Sequence, residues 1–123
     1  MAQTAIYPCP ACGFLVFSEP PGSYEICHFC GWEDDAVQLA NPTSAGGANS
    51  ESLIEAQRRA LVAHPLATTT ANGYLRDRTW RPVSEEEAQA HRDQVQARGC
   101  WANHAADGVD GYYWRRRSSD PAG

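Results

Sequence analysis

Cys9-Pro10-Ala11-Cys12-Gly13 and Cys27-His28-Phe29-Cys30-Gly31, with fourteen residues between Cys12 and Cys27, are the segments that decide how this chain folds. Two C-x-x-C pairs at this separation match the spacing of a four-cysteine metal site. Sulfurs three positions apart converge on one side of a tight turn, and two such turns complete a tetrahedron with metal–sulfur distances of about 2.3 Å. Gly13 and Gly31 follow the second cysteine of each pair, where the turn requires the positive φ that glycine adopts at low cost. Pro10 fixes φ inside the first turn. The set Cys9, Cys12, Cys27 and Cys30 suits one structural Zn2+, because four thiolates leave no open coordination position. Iron of the rubredoxin type uses the same ligands, although the short spacer favours it less. Disulfides or free thiols are the remaining options. His28, between two ligands, is expected to be a solvent-facing turn residue.

The spacer fits a ribbon. Phe14–Ser18 reads as a strand with Tyr24–Ile26 as its partner, and Glu19-Pro20-Pro21-Gly22-Ser23 is the turn chemistry between them. The expected fold class is α+β: a small zinc-ribbon-like β-hairpin with two zinc-knuckle turns, packed with helices. Leu, Ile, Val and Phe number only 18 of 123 residues, about 15% and below the ordinary globular range. A metal staple would therefore contribute a large share of the stability.

Tyr7-Pro8-Cys9-Pro10-Ala11-Cys12-Gly13-Phe14, Pro20-Pro21-Gly22-Ser23-Tyr24-Glu25-Ile26-Cys27, Cys30-Gly31-Trp32-Glu33-Asp34-Asp35 and Gly46-Gly47-Ala48-Asn49 ahead of Ser52-Leu53 together resemble the bacterial cysteine-rich CPCC domain family over about residues 7 to 60. Ala11 stands where the family typically has a middle cysteine. That departure implies that the middle cysteine is not an essential ligand, and it leaves the Cys9/Cys12 pair intact. The resemblance supports a metal site and says little about activity.

Further along, Ser52 and Glu55 form a capping box that opens a helix ending at Pro65. Leu53, Ile54, Gln57, Ala60, Leu61 and His64 line one face of it. Ser84 and Glu87 form a second capping box for a mostly polar helix over 85–98, with Ala88, His91 and Val95 inward and Gly99 as its stop. Between the helices Asn72-Gly73 signals a turn. Tyr112-Tyr113-Trp114 reads as a short strand or a docking segment. The domain plan is a module with one helix over 1–65, an irregular and helical extension of the same domain over 66–114, and a solvated tail over 115–123.

Charge narrows the functional classes. Residues 1–55 carry Glu19, Glu25, Glu33, Asp34, Asp35, Glu51 and Glu55 with no Arg or Lys, while all ten Arg lie in residues 56–123 and the net charge is −5. A four-thiolate zinc centre adds two more negative charges to the first half. Nucleic-acid binding needs cations to neutralise phosphates, so residues 1–55 argue against it. An acidic face instead favours a basic protein partner, an antidote to a basic toxin being one concrete form. Trp32, Glu33, Asp34 and Asp35 are the candidate contacts, with Trp32 equally readable as a hydrophobic lid over the sulfurs. The alternative is single-stranded nucleic-acid binding by Arg115–Arg117 beside Tyr112, Tyr113 and Trp114. Catalysis is not expected. Cys100 with His104 and Asp107 is the nearest thing to a nucleophile and base, but Gly99 interrupts the helix that would align them. The opening residues do not resemble a secretory signal and no apolar run reaches 18 residues, so a cytoplasmic location with reduced thiols is expected.

Overall fold

The computed structural model describes residues 7–106 and 111–115. Strand β1 (Tyr7–Pro8) pairs antiparallel with β2 (Leu15–Phe17), in the register Tyr7 to Phe17 and Pro8 to Leu15 with an irregularity between them. The first cysteine pair lies in the reversal that joins these strands. The second pair has a reversal of its own. Tyr24 N–H donates to the Asp34 carbonyl at 3.1 Å, Asp34 N–H to Glu25 at 2.9 Å and Cys27 N–H to Trp32 at 2.9 Å, with a bridge between Ile26 and Glu33.

The α+β class with two knuckles is borne out, but the strand pairing expected from the spacer is corrected. Residues 14–18 do not form a hairpin with 24–26. Each C-x-x-C-G segment is a reversal closed by its glycine, with Gly13 N–H donating to Cys9 at 2.7 Å and Gly31 N–H to Cys27 at 3.0 Å. A chain turned back on itself pairs first with its own flank. The Glu19–Ser23 turn is left as a connector, and the Glu25 carboxylate, accepting from Ser18 N–H and Oγ, ties it down.

Among the described residues three α-helices follow. The short α1 (Ala36–Ala40), which has no counterpart in the sequence reading, is capped by Asp35, whose carboxylate accepts from Val37 and Gln38 N–H. The longer α2 (Leu53–Ala63) and α3 (Glu85–Arg98) both open with the anticipated capping boxes, Ser52 with Glu55 and Ser84 with Glu87. Leu53, Ala56, Gln57 and Ala60 face the interior from α2, Ala88 and His91 from α3. The Asn72-Gly73 turn joins β3 (Thr70–Ala71) to β4 (Tyr74–Leu75), both turn residues having positive φ as a tight hairpin requires. A bridge from Phe14 to Arg76 lays this hairpin beside β2.

Phe14, Phe17, Trp32, Leu39, Leu53, Trp80, Tyr112 and Trp114 are buried together with the four cysteines. Tyr112-Tyr113-Trp114 is a docking segment. Residues Tyr113–Arg115 form one 3-10 turn, and Asp77 accepts from Trp114 Nε1 at 3.1 Å and from Arg115 at 2.7 Å. Of the expected tail, residues 116–123 lie outside the described residues. No helix among the described residues is long and apolar enough to cross a membrane.

Candidate metal centre

The two knuckles place their sulfurs against one another. Cys9 Sγ lies 3.6 Å from Cys30 Sγ and Cys12 Sγ lies 3.6 Å from Cys27 Sγ, and the four sulfurs all lie within 4.8 Å of one another. A disulfide needs about 2.05 Å, whereas a tetrahedron built on metal–sulfur bonds of about 2.3 Å has edges of roughly 3.8 Å. These spacings therefore fit the cage of a single ion. All four residues are buried, Cys30 at 9% being the most exposed. Among the described residues this is the one cluster of three or more Cys, His, Asp or Glu side chains with converging donor atoms.

The electrostatics point the same way. Burial and the neighbouring sulfurs push the Cys9 thiol up. Hydrogen bonding with Cys27, then with Cys30, pushes Cys12 up. Cys27, supported chiefly by Cys12, is pushed down. Four sulfurs so close cannot all become thiolates unless a cation balances them, which a divalent ion does.

The knuckle backbones are clamped by groups from distant elements. The Pro10 carbonyl accepts from Gln57 Nε2 and from Trp80 Nε1, each at 3.0 Å. The Cys12 carbonyl accepts from Arg76 Nε at 2.8 Å and the Cys30 carbonyl from Arg59 Nη1 at 2.7 Å. Phe29 N–H points at Cys27 Sγ, 3.3 Å away. Gly13 has φ +84° and packs under Trp80; a Cβ there would lie 2.6 Å from the indole. Such partners orient the ligands and set metal affinity. Gln57 was legible as part of the inward stripe of α2, whereas Arg59, Arg76 and Trp80 had no sequence signal, since their role depends on where the chain returns.

Three of the four residues expected to meet a partner face inward instead. Trp32 is fully buried in the hydrophobic core that also holds the four cysteines. Asp34 is buried and accepts from Ser23 Oγ at 2.7 Å, and burial raises its pKa. Asp35 caps α1 and accepts from Ala48 N–H at 2.9 Å. Glu33 alone is partly exposed, its backbone held by Asn49. Sequence alone could not separate acids that cap and tie loops from acids that face solvent. The exposed apolar side chains leading into the second knuckle are instead Tyr24, at 57%, and Ile26, at 63%, with His28 exposed as anticipated.

The nucleic-acid alternative loses its stacking platform, because Tyr112 and Trp114 are buried and stacked on each other at 4.6 Å. Arg115 is engaged by Asp77, and Arg116 and Arg117 lie outside the described residues. Cys100 and His104 are both exposed, and Asp107 lies outside the described residues.

Residues 7–67 match the family model described as Cysteine-rich CPCC, which bears out the resemblance carried by the motifs. No curated protein matches the chain.

Proposed function

From a cysteine-rich CPCC module over residues 7–67, we propose that the protein is a small zinc-stapled interaction module that docks a basic protein partner and performs no chemistry of its own. The carrying observation is the closed cage: four sulfurs converge, all buried, which suits a structural ion and leaves no position for substrate. Four thiolates suit zinc and rubredoxin-type iron alike, and zinc is favoured because only fourteen residues separate the two pairs. Recognition then falls to the surface. Tyr24 and Ile26 project beside the second knuckle, with Glu25 between them and Glu19 and Glu33 nearby; residues 1–55 carry no Lys or Arg, and Arg59, which reaches the Cys30 carbonyl, is paired with Glu51. Apolar anchors amid like charges suit a cationic partner, steered by charge and held by the exposed side chains. An antidote that covers the basic cleft of a toxin is one version of this role.

Metal analysis of the purified, reduced protein and pull-down at low and high salt test the two parts. We expect one zinc per chain, together with recovery of a basic protein that weakens with salt and with Ile26→Glu. Stable folding without stoichiometric metal would remove the first part. Failure to recover a basic partner, or binding insensitive to salt, would remove the second.

A further inference from the structure

Arg76 is only 5% exposed. Its guanidinium donates to four backbone carbonyls: Cys12 through Nε at 2.8 Å, Pro65 and Thr68 through Nη1 at 2.7 and 3.0 Å, and His64 through Nη2 at 2.8 Å. Its planar faces meet the rings of Phe14, 4.7 Å to the centroid, and Trp80, 5.1 Å. Four of its five N–H donors are thus engaged by neutral carbonyls. The ion pairs among the described residues are Arg59 with Glu51, Arg81 with Glu87, Arg92 with Glu85 and Arg115 with Asp77; none involves Arg76.

A guanidinium keeps its proton in proteins, so this is a full positive charge in the interior, where an unbalanced charge is costly. The carbonyls of His64 and Pro65 lie at the C-terminal end of α2, which supplies about half a negative charge. The other available source lies one carbonyl away. A divalent ion held by four thiolates carries a net charge of −2, and Arg76 reaches that centre through the backbone of one of its ligands.

We propose that Arg76 is the counter-charge of the metal–tetrathiolate centre, and so couples metal occupancy to the docking of residues 64–80 on the first knuckle. This rests on the metal reading above and adds to it a positioning residue and a direction of regulation. The centre stabilises the buried cation. By linkage, the docked cation raises metal affinity by the same factor that the metal strengthens docking. The segment that Arg76 carries is also fastened by Asp77 N–H on the Gly13 carbonyl at 2.8 Å. Its docking therefore bears directly on the ligand-bearing turn.

The test is competition of the full chain against a chromophoric chelator for Zn2+, with Co2+ absorption reporting the tetrahedral thiolate site. Arg76→Gln removes the charge and keeps two N–H donors; Arg76→Lys keeps the charge with three donors and loses the fork. We expect Arg76→Gln to weaken metal binding by about 10- to 100-fold, the range for outer-shell partners, Arg76→Lys to stay within about threefold of wild type, and the exposed Arg78→Gln to leave it unchanged. In a Cys27→His background, where the centre carries one negative charge fewer, the Arg76→Gln effect should shrink. Equal losses for Gln and Lys, or an undiminished loss in the His background, would overturn the proposal. Should Arg76→Gln not fold, Arg76→Lys decides alone: near-native affinity supports the charge role, and a tenfold loss rejects it. A wild-type chain that binds no metal would reject the preceding reading, whereas a metal-binding chain indifferent to Arg76→Gln would reject only this one.

Discussion

Gln57 and Trp80, twenty-three positions apart in sequence, donate to the same acceptor, the Pro10 carbonyl, from opposite elements at 3.0 Å each. One peptide group between two metal-site cysteines is thus held by a helix and by a loop at once. Losing either donor leaves the carbonyl satisfied, and losing both leaves a buried acceptor bare. Trp80→Phe should cost about 1 kcal/mol for its hydrogen bond. Gln57→Leu should cost roughly 1–3 kcal/mol, because Val83 N–H also loses its acceptor. The double variant should exceed the sum by about 0.5–3 kcal/mol. Urea denaturation of the metal-loaded variants measures this, and strict additivity would contradict a shared acceptor.

The two knuckle glycines are not equivalent. Gly13 and Gly31 have similar φ, +84° and +79°, but a Cβ on Gly13 meets the Trp80 indole while one on Gly31 meets nothing within 4 Å. Both alanine variants should incur the left-handed penalty of about 1–2 kcal/mol. Gly13→Ala should add an overpacking cost of roughly 1–3 kcal/mol. Thermal unfolding should rank Gly31→Ala well above Gly13→Ala, and equal losses would show that Trp80 yields freely.

His91 is expected to give the protein an acid-sensitive helix. Buried on α3, it lies 2.9 Å from Asn41 Oδ1 through Nε2 and 2.6 Å from Thr43 Oγ1 through Nδ1. Asn41 Oδ1 only accepts, so Nε2 carries the proton and Nδ1 accepts from Thr43. Burial lowers the His91 pKa from its ordinary 6.5. With the folded value below the unfolded one, the unfolded chain takes up the proton first as pH falls. The His91 contribution is complete above about pH 6.5 and is lost as pH drops through the lower folded value. Stability should therefore fall over that window, and His91→Gln should flatten the slope. An unchanged slope in that variant would assign the effect elsewhere.

Tyr24 is held at φ 62° while 57% exposed. Left-handed backbone is costly for a bulky residue and far easier for Asn. Tyr24→Asn should leave stability unchanged or raise it by up to about 1 kcal/mol, yet weaken capture of the basic partner. A fall in melting temperature would mean that the ring packs more than its exposure implies.

What the sequence made legible was chemistry carried by spacing. The C-x-x-C-G turns, both Ser-x-x-Glu boxes, the Asn72-Gly73 reversal and the Gly99 stop each act within a few residues, so their consequences are local. Strand partnership was illegible because residues 14–18 and 24–26 alternate equally well against either neighbour, and only closure of the knuckles decides between them. The short α1 escaped because five residues carry no periodicity, and its cap, Asp35, read as one more surface acid in an acidic run. Arg76 escaped for a different reason. Its sequence neighbours, Leu75 and Asp77, suggest an ordinary hairpin end, and its burial follows from a return across the first knuckle that no local pattern encodes.

The clamp on the first knuckle has a consequence during synthesis. All four sulfurs have been made once Cys30 is translated, but Trp80 follows about fifty residues later, roughly 2–10 seconds at ordinary elongation rates. For that interval a nascent chain offers a complete set of thiols whose supporting backbone is still loose, open both to ion capture and to ion loss. Arrival of the later segment would slow exchange, so the identity of the ion would be settled by what the ribosome's surroundings supply in those seconds.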